Sequence, residues 1–171
     1  MIATASVDVQ AATFQDLINL APGEHPDRIT RGRQCAPTIT QWWAADGIIQ
    51  FSTTCSQKDS TGPWTQLIQL QDWESILESS EETMDLVTGG GRPTWPQVRP
   101  LVQSLLRNSN VLVYCDCPDF LYSGANYNVS RERAVYPGFE EGRAPRRHLE
   151  WGLGRARICK HLYAVYNAYL R

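Results

Sequence analysis

Among the residues of this chain that could do chemistry, four come in two tight pairs, Cys115-Asp116-Cys117 and Cys159-Lys160-His161. Thiolates and imidazole are the donors that zinc prefers, and three sulfurs with one nitrogen complete a tetrahedron that leaves no position for water or substrate. Cys115, Cys117, Cys159 and His161 therefore predict one structural Zn2+ and not a catalytic one. His148, set among arginines, is an alternative nitrogen donor to His161. The other two of the five cysteines, Cys35 and Cys55, have no neighbour at metal-ligand spacing. They are expected as buried or free thiols, with a disulfide only in oxidising surroundings.

Catalytic constellations are missing from the sequence. It has no His-Glu-x-x-His, no phosphate loop ending in Gly-Lys-Ser/Thr and no Gly-x-Ser-x-Gly elbow, and Gly89–Gly91 lacks the lysine that a phosphate loop needs. A nucleophile built from Cys159 and His161 conflicts with their use as ligands, because a coordinated thiolate is a poor free nucleophile. The chain reads as a non-enzyme without a small-molecule substrate.

The elements that must position the two pairs follow from local pattern. The β-prone run Val111–Tyr114 delivers the chain to Cys115, and Pro118 stops that strand from continuing. Cys159 and His161 open a segment in which Leu162, Val165, Tyr166 and Tyr169 share one helical face. Upstream, Thr13 caps a short helix reaching Leu20, and the polar stretch Gly23–Pro37 reads as a loop or arm. Strands follow at Thr38–Ala44 and Ile48–Thr54, joined through Asp46-Gly47, the strongest hairpin signal in the chain, and a third at Trp64–Leu70. On alternation, Ile49, Phe51, Thr53 and Cys55 share a face, as do Trp64, Ile68 and Leu70. Asp72 caps a helix over Trp73–Ser79, and Gly89–Gly91 forms a hinge. Thr94 caps another helix with Val98, Leu101, Val102, Leu105 and Leu106 as its buried stripe, its regular part starting near Pro100.

The expected fold is α+β: a short antiparallel sheet with packed helices leading into a C-terminal zinc module of strand, long loop and helix. The expected divisions are an N-terminal helix and arm over 1–37, an α+β region over 38–110 and the zinc module over 111–171. A length of 171 residues suits one core, and 42 % hydrophobic with 20 % charged residues is a globular balance. No apolar run approaches the roughly 20 residues of a membrane span. The start lacks the basic and apolar regions of a signal peptide, so the chain is expected to be soluble, intracellular at synthesis and free of membrane. The net charge of −2 is unevenly placed: residues 1–114 carry 7 Lys/Arg against 12 Asp/Glu, and residues 115–171 carry 9 against 6. A basic C-terminal part suits phosphate or an acidic protein surface, whereas the acidic front repels DNA.

The spacing C-x-C … C-x-H, with 41 residues between the pairs, resembles the SWIM zinc finger over Val111 to about Leu170. That resemblance implies a β-hairpin followed by a helix, zinc on the same four residues, and binding to DNA or protein partners. A narrower resemblance lies in Cys115-Asp-Cys117-Pro118-Asp119-Phe120-Leu121-Tyr122 followed by Cys159-Lys160-His161-Leu162, which is similar to a group of tailed-bacteriophage virion components. The front half, Gly47–Thr54 and Trp64–Asp72, is similar to theirs as well. It implies a structural or assembly protein of the tail or baseplate region, made in the host cytoplasm, located in the virion and contacting other virion proteins. A nucleic-acid-binding accessory role for the basic module is the second expectation.

Overall fold

The structure, a computed structural model, describes residues 13–20, 26–43, 46–55, 62–79, 81, 95–122 and 158–171. Four strands form one antiparallel sheet in the order β1-β2-β3-β4: β1 (Cys35–Trp43), β2 (Ile48–Cys55), β3 (Trp64–Leu70) and β4 (Val111–Cys115). The helices are α1 (Phe14–Leu20), α2 (Pro26–Arg33), α3 (Trp73–Ser79), α4 (Trp95–Asn108), α5 (Pro118–Tyr122) and α6 (Lys160–Tyr169). The α+β class with a short antiparallel sheet is thus present, and β4 joins the ligand-bearing segment to the sheet built by the earlier strands.

Local chemistry accounts for the turns and caps. Gly47 turns β1 into β2 with φ +62, a conformation that L side chains rarely adopt, and a Cβ there would lie 2.5 Å from the Trp73 ring. At α1 the Thr13 hydroxyl accepts from the Asp16 amide at 3.1 Å, while the Asp16 carboxylate accepts from the Thr13 amide at 3.0 Å. This reciprocal pair satisfies amides that the first turn leaves free. The Asp72 carboxylate accepts from the Asn110 side-chain amide at 3.1 Å, pinning the exit of β3 to the entry of β4.

One face of the sheet carries Ile49, Phe51, Thr53, Gln66, Ile68, Leu70, Val111, Val113 and Cys115, all buried. Helix α6 crosses this face over β1, β2 and β3, and α1 contacts both α4 and α6. Val98, Val102, Leu105 and Leu106 of α4 are buried as their spacing predicts. Helix α6 is buried more widely than its sequence stripe suggests, because Tyr163 and Ala164 are covered as well as Leu162, Val165 and Tyr169. The second cover is α2.

That helix corrects the expected arm. Within Gly23–Pro37 the chain forms α2, and β1 begins at Cys35. The helix shows no apolar period because, of its residues with described side chains, only Ile29 and the small Gly32 turn toward the core. At Gly32 a Cβ would sit 2.9 Å from both the Lys160 carbonyl oxygen and the Tyr163 Cβ. Two further expectations are corrected. Helix α4 runs through Pro100 from Trp95 instead of starting near the proline, and Pro100 is exposed, where water can satisfy the carbonyl that it leaves without a helical donor. Cys35 and Cys55 face each other in the β1–β2 register and are bonded to one another. Gly89–Gly91, Thr94 and His148 lie outside the described residues. Among the described residues no helix is long and apolar enough to cross a membrane.

Candidate metal centre

Strand β4 ends at Cys115, and the residue after it keeps the chain tied to β3. The Asp116 amide donates to the Thr65 carbonyl at 3.1 Å, and the Asp116 carboxylate accepts from the Thr65 amide at 2.8 Å. Burial raises the Asp116 carboxyl above its ordinary range, against the lowering effect of the Thr65 amide. Beyond this clamp the chain bends at Cys117 into α5, where Pro118 fills a first turn rather than merely ending a strand. The Phe120 amide, turned back by α5, lies 3.4 Å from the Cys117 sulfur and donates to it. Phe120 is itself buried, with its ring 6.0 Å from that of Tyr114.

The second pair arrives on α6. Cys159 is the N-cap residue, extended at φ −70 and ψ 161, and its sulfur makes no capping hydrogen bond. It therefore stays available as a ligand at the start of the helix. His161 lies in the first turn, its ring 5.9 Å from that of Trp64.

Together these elements bring Cys115, Cys117, Cys159 and His161 into one cluster, with their ligand atoms all within 4.8 Å of one another. None of the four is more than 2 % exposed. Nδ1 of His161 is 3.8 Å from the Cys115 sulfur. Zinc–sulfur bonds of ~2.3 Å in a tetrahedron set sulfur–sulfur edges of about 3.8 Å, which the 4.8 Å bound on the cluster accommodates.

The electrostatics fit a cation. Burial pushes the Cys115 and Cys159 thiols well above the ordinary thiol range, while hydrogen bonds from those two thiols, aided by His161, hold Cys117 far below it. The opposed directions reflect one fact: three adjacent thiolates without a cation would repel in a buried core. His161 carries a second signal: its Nε2 is buried with no hydrogen-bond partner among the described residues. An orphaned buried polar atom costs about 1–3 kcal/mol, and a metal bonded at Nε2 would satisfy it, whereas one bonded at Nδ1 would leave Nε2 an unpaired N–H.

Two residues bearing on the site were not singled out in the sequence. Gln66 is fully buried in β3, directly opposite Cys115 in the β3–β4 register, and its amide nitrogen is 3.6 Å from the Cys115 sulfur. Thr53, buried on β2, donates its hydroxyl to the Gln66 amide oxygen at 2.5 Å. The signal for both was in the alternation: each is polar at a position whose neighbours on the same face are apolar.

Comparison with known proteins agrees with the geometry in one respect. No curated protein and no solved structure matches the chain. The family model of the SWIM zinc finger matches residues 101–126 and 151–170, two stretches that contain all four clustered residues. The matched stretches and the Cys/His cluster together support a SWIM-type zinc finger, with zinc binding and protein or nucleic-acid partners as its role.

Proposed function

We propose that this chain is a non-enzymatic structural or assembly protein of a tailed-bacteriophage particle, in the tail or baseplate region, stabilised by one Zn2+ on Cys115, Cys117, Cys159 and His161. The observation that carries the zinc part is the closed, fully buried Cys3His cluster built from a strand end and a helix start. Such a site offers no open position to a substrate, so the metal holds shape and the surface around it does the work. The virion part rests on the resemblance of Cys115–Tyr122 and Cys159–Leu162 to phage virion components. Its test is mass spectrometry of purified particles from an infected host: the chain should be found at fixed stoichiometry with other virion proteins, and its absence from intact particles would remove this role.

A second reading, nucleic-acid binding, is favoured by one structural fact. Helix α2, with exposed Arg31 and Arg33 in its last turn, packs on α6, which begins at Lys160. Two arginines of the acidic front half are therefore brought beside the helix that opens with Lys160; of the other basic residues of 115–171, all but Arg171 lie outside the described residues. Binding of this kind falls steeply with salt through counterion release. A DNA titration showing no binding at low salt would eliminate it.

A further inference from the structure

We propose that Gln66 is a hydrogen-bond donor to the Cys115 sulfur that fixes this ligand and lowers its basicity; the inference rests on the zinc reading above. The orientation of its amide follows from its neighbours. The Trp64 carbonyl oxygen can only accept, and it lies 2.8 Å from the Gln66 amide nitrogen, so the nitrogen must be on that side. The amide oxygen then faces the Thr53 hydroxyl, which donates to it. One amide proton serves Trp64, and the second is left for the Cys115 sulfur at 3.6 Å.

Packing does not call for an amide at this position. Gln66 shares its face of β3 with Ile68 and Leu70 and is fully buried there. A buried amide is tolerated only when its hydrogen bonds are made, and here one of them ends on a sulfur of the cluster. The need for it is electrostatic. Three thiolates and a neutral imidazole around a divalent cation leave a net negative charge among fully buried side chains. An N–H aimed at one sulfur disperses part of that charge and restrains the side chain bearing it. Outer hydrogen bonds of this type typically change metal affinity by about 10–100-fold. Thr53 takes part indirectly, by holding the amide so that its nitrogen and not its oxygen faces the sulfur.

The test begins with the unmodified chain loaded with NMR-active cadmium, in which through-hydrogen-bond coupling between metal and amide protons is read directly. A side-chain amide proton of Gln66 should couple to the metal, as should the backbone amide of Phe120 through Cys117, which serves as an internal reference. Coupling at Phe120 without coupling at Gln66 would overturn the role of Gln66 and leave the zinc reading standing. Failure to bind cadmium stoichiometrically would overturn both. In a second arm, Gln66→Met removes the donor while keeping the side-chain length. It should weaken metal binding by about 10–100-fold and shift the cobalt–thiolate charge-transfer band to lower energy. A stability loss with an unchanged band and unchanged affinity would show that Gln66 only packs, and would overturn the proposal.

Discussion

Nδ1 of His161 lies 3.8 Å from the Sγ of Cys115, although 46 positions separate the two in sequence. Closing such a loop costs entropy that the chain recovers only if something holds the ends together. On the present account zinc does, so Cys115→Ser and Cys159→Ser should each lose stoichiometric metal and destabilise the fold by more than about 4–5 kcal/mol, a loss large enough to indicate a lost structural metal. Urea unfolding with parallel metal analysis checks this. A mild change of about 1 kcal/mol would mean that the cysteines act as ordinary small core residues.

Metal uptake should release protons. In the metal-free chain Cys115 and Cys159 are raised by burial and carry protons at neutral pH, while Cys117 is held low and carries none. Zinc needs all three as thiolates, so binding should expel about two protons, and affinity should rise with pH. The stability of the loaded fold follows the same sign: below the unfolded thiol range near ~8.5 the unfolded chain binds protons that the loaded fold lacks, so stability grows as pH increases toward that value. Above it the metal-free fold loses stability, since its two raised thiols stay protonated when the unfolded ones do not. Calorimetry in buffers of different ionisation heat counts the protons directly.

Gly32→Ala tests the docking of α2 on α6. Alanine is favoured over glycine by about 1 kcal/mol inside a helix. The added methyl, however, would meet the Lys160 carbonyl and the Tyr163 Cβ at 2.9 Å, contacts that no rotamer change relieves. Overpacking of about 1–3 kcal/mol should win, giving net destabilisation in urea while metal stoichiometry is kept.

The Cys35–Cys55 bond joins β1 and β2 across a sequence separation of 20. A loop of this size restricts the unfolded chain enough to stabilise the fold by about 3 kcal/mol in the chain-entropy description. Cys55→Ser should therefore lower stability by about that amount relative to the oxidised chain and leave metal content unchanged. Loss of metal in this variant would show that the two sets of cysteines are not independent.

What was legible in the sequence was whatever is encoded locally. The two ligand pairs, the Asp46-Gly47 turn, β3 and the buried stripe of α4 each depend on spacing within a few residues. Thr13 was legible as a cap because it stands just before the helical spacing that starts at Phe14; its reciprocal bond with Asp16 came from the structure. Features set by contacts between distant segments were hidden. Helix α2 has Ile29 and Gly32 toward the core and is otherwise polar, so only its fit against α6 reveals it. Cys35 and Cys55 become a pair only once the β1–β2 register is fixed. Gln66 and Thr53 were visible as polar residues on an apolar face, but their approach to Cys115 requires the β2–β3–β4 order.

The most direct test is elemental analysis of the purified native chain combined with alkylation of its thiols before and after chelation. One zinc per chain is predicted, with Cys115, Cys117 and Cys159 protected until the metal is withdrawn. Material free of transition metal whose three thiols react readily in the native state would contradict the account.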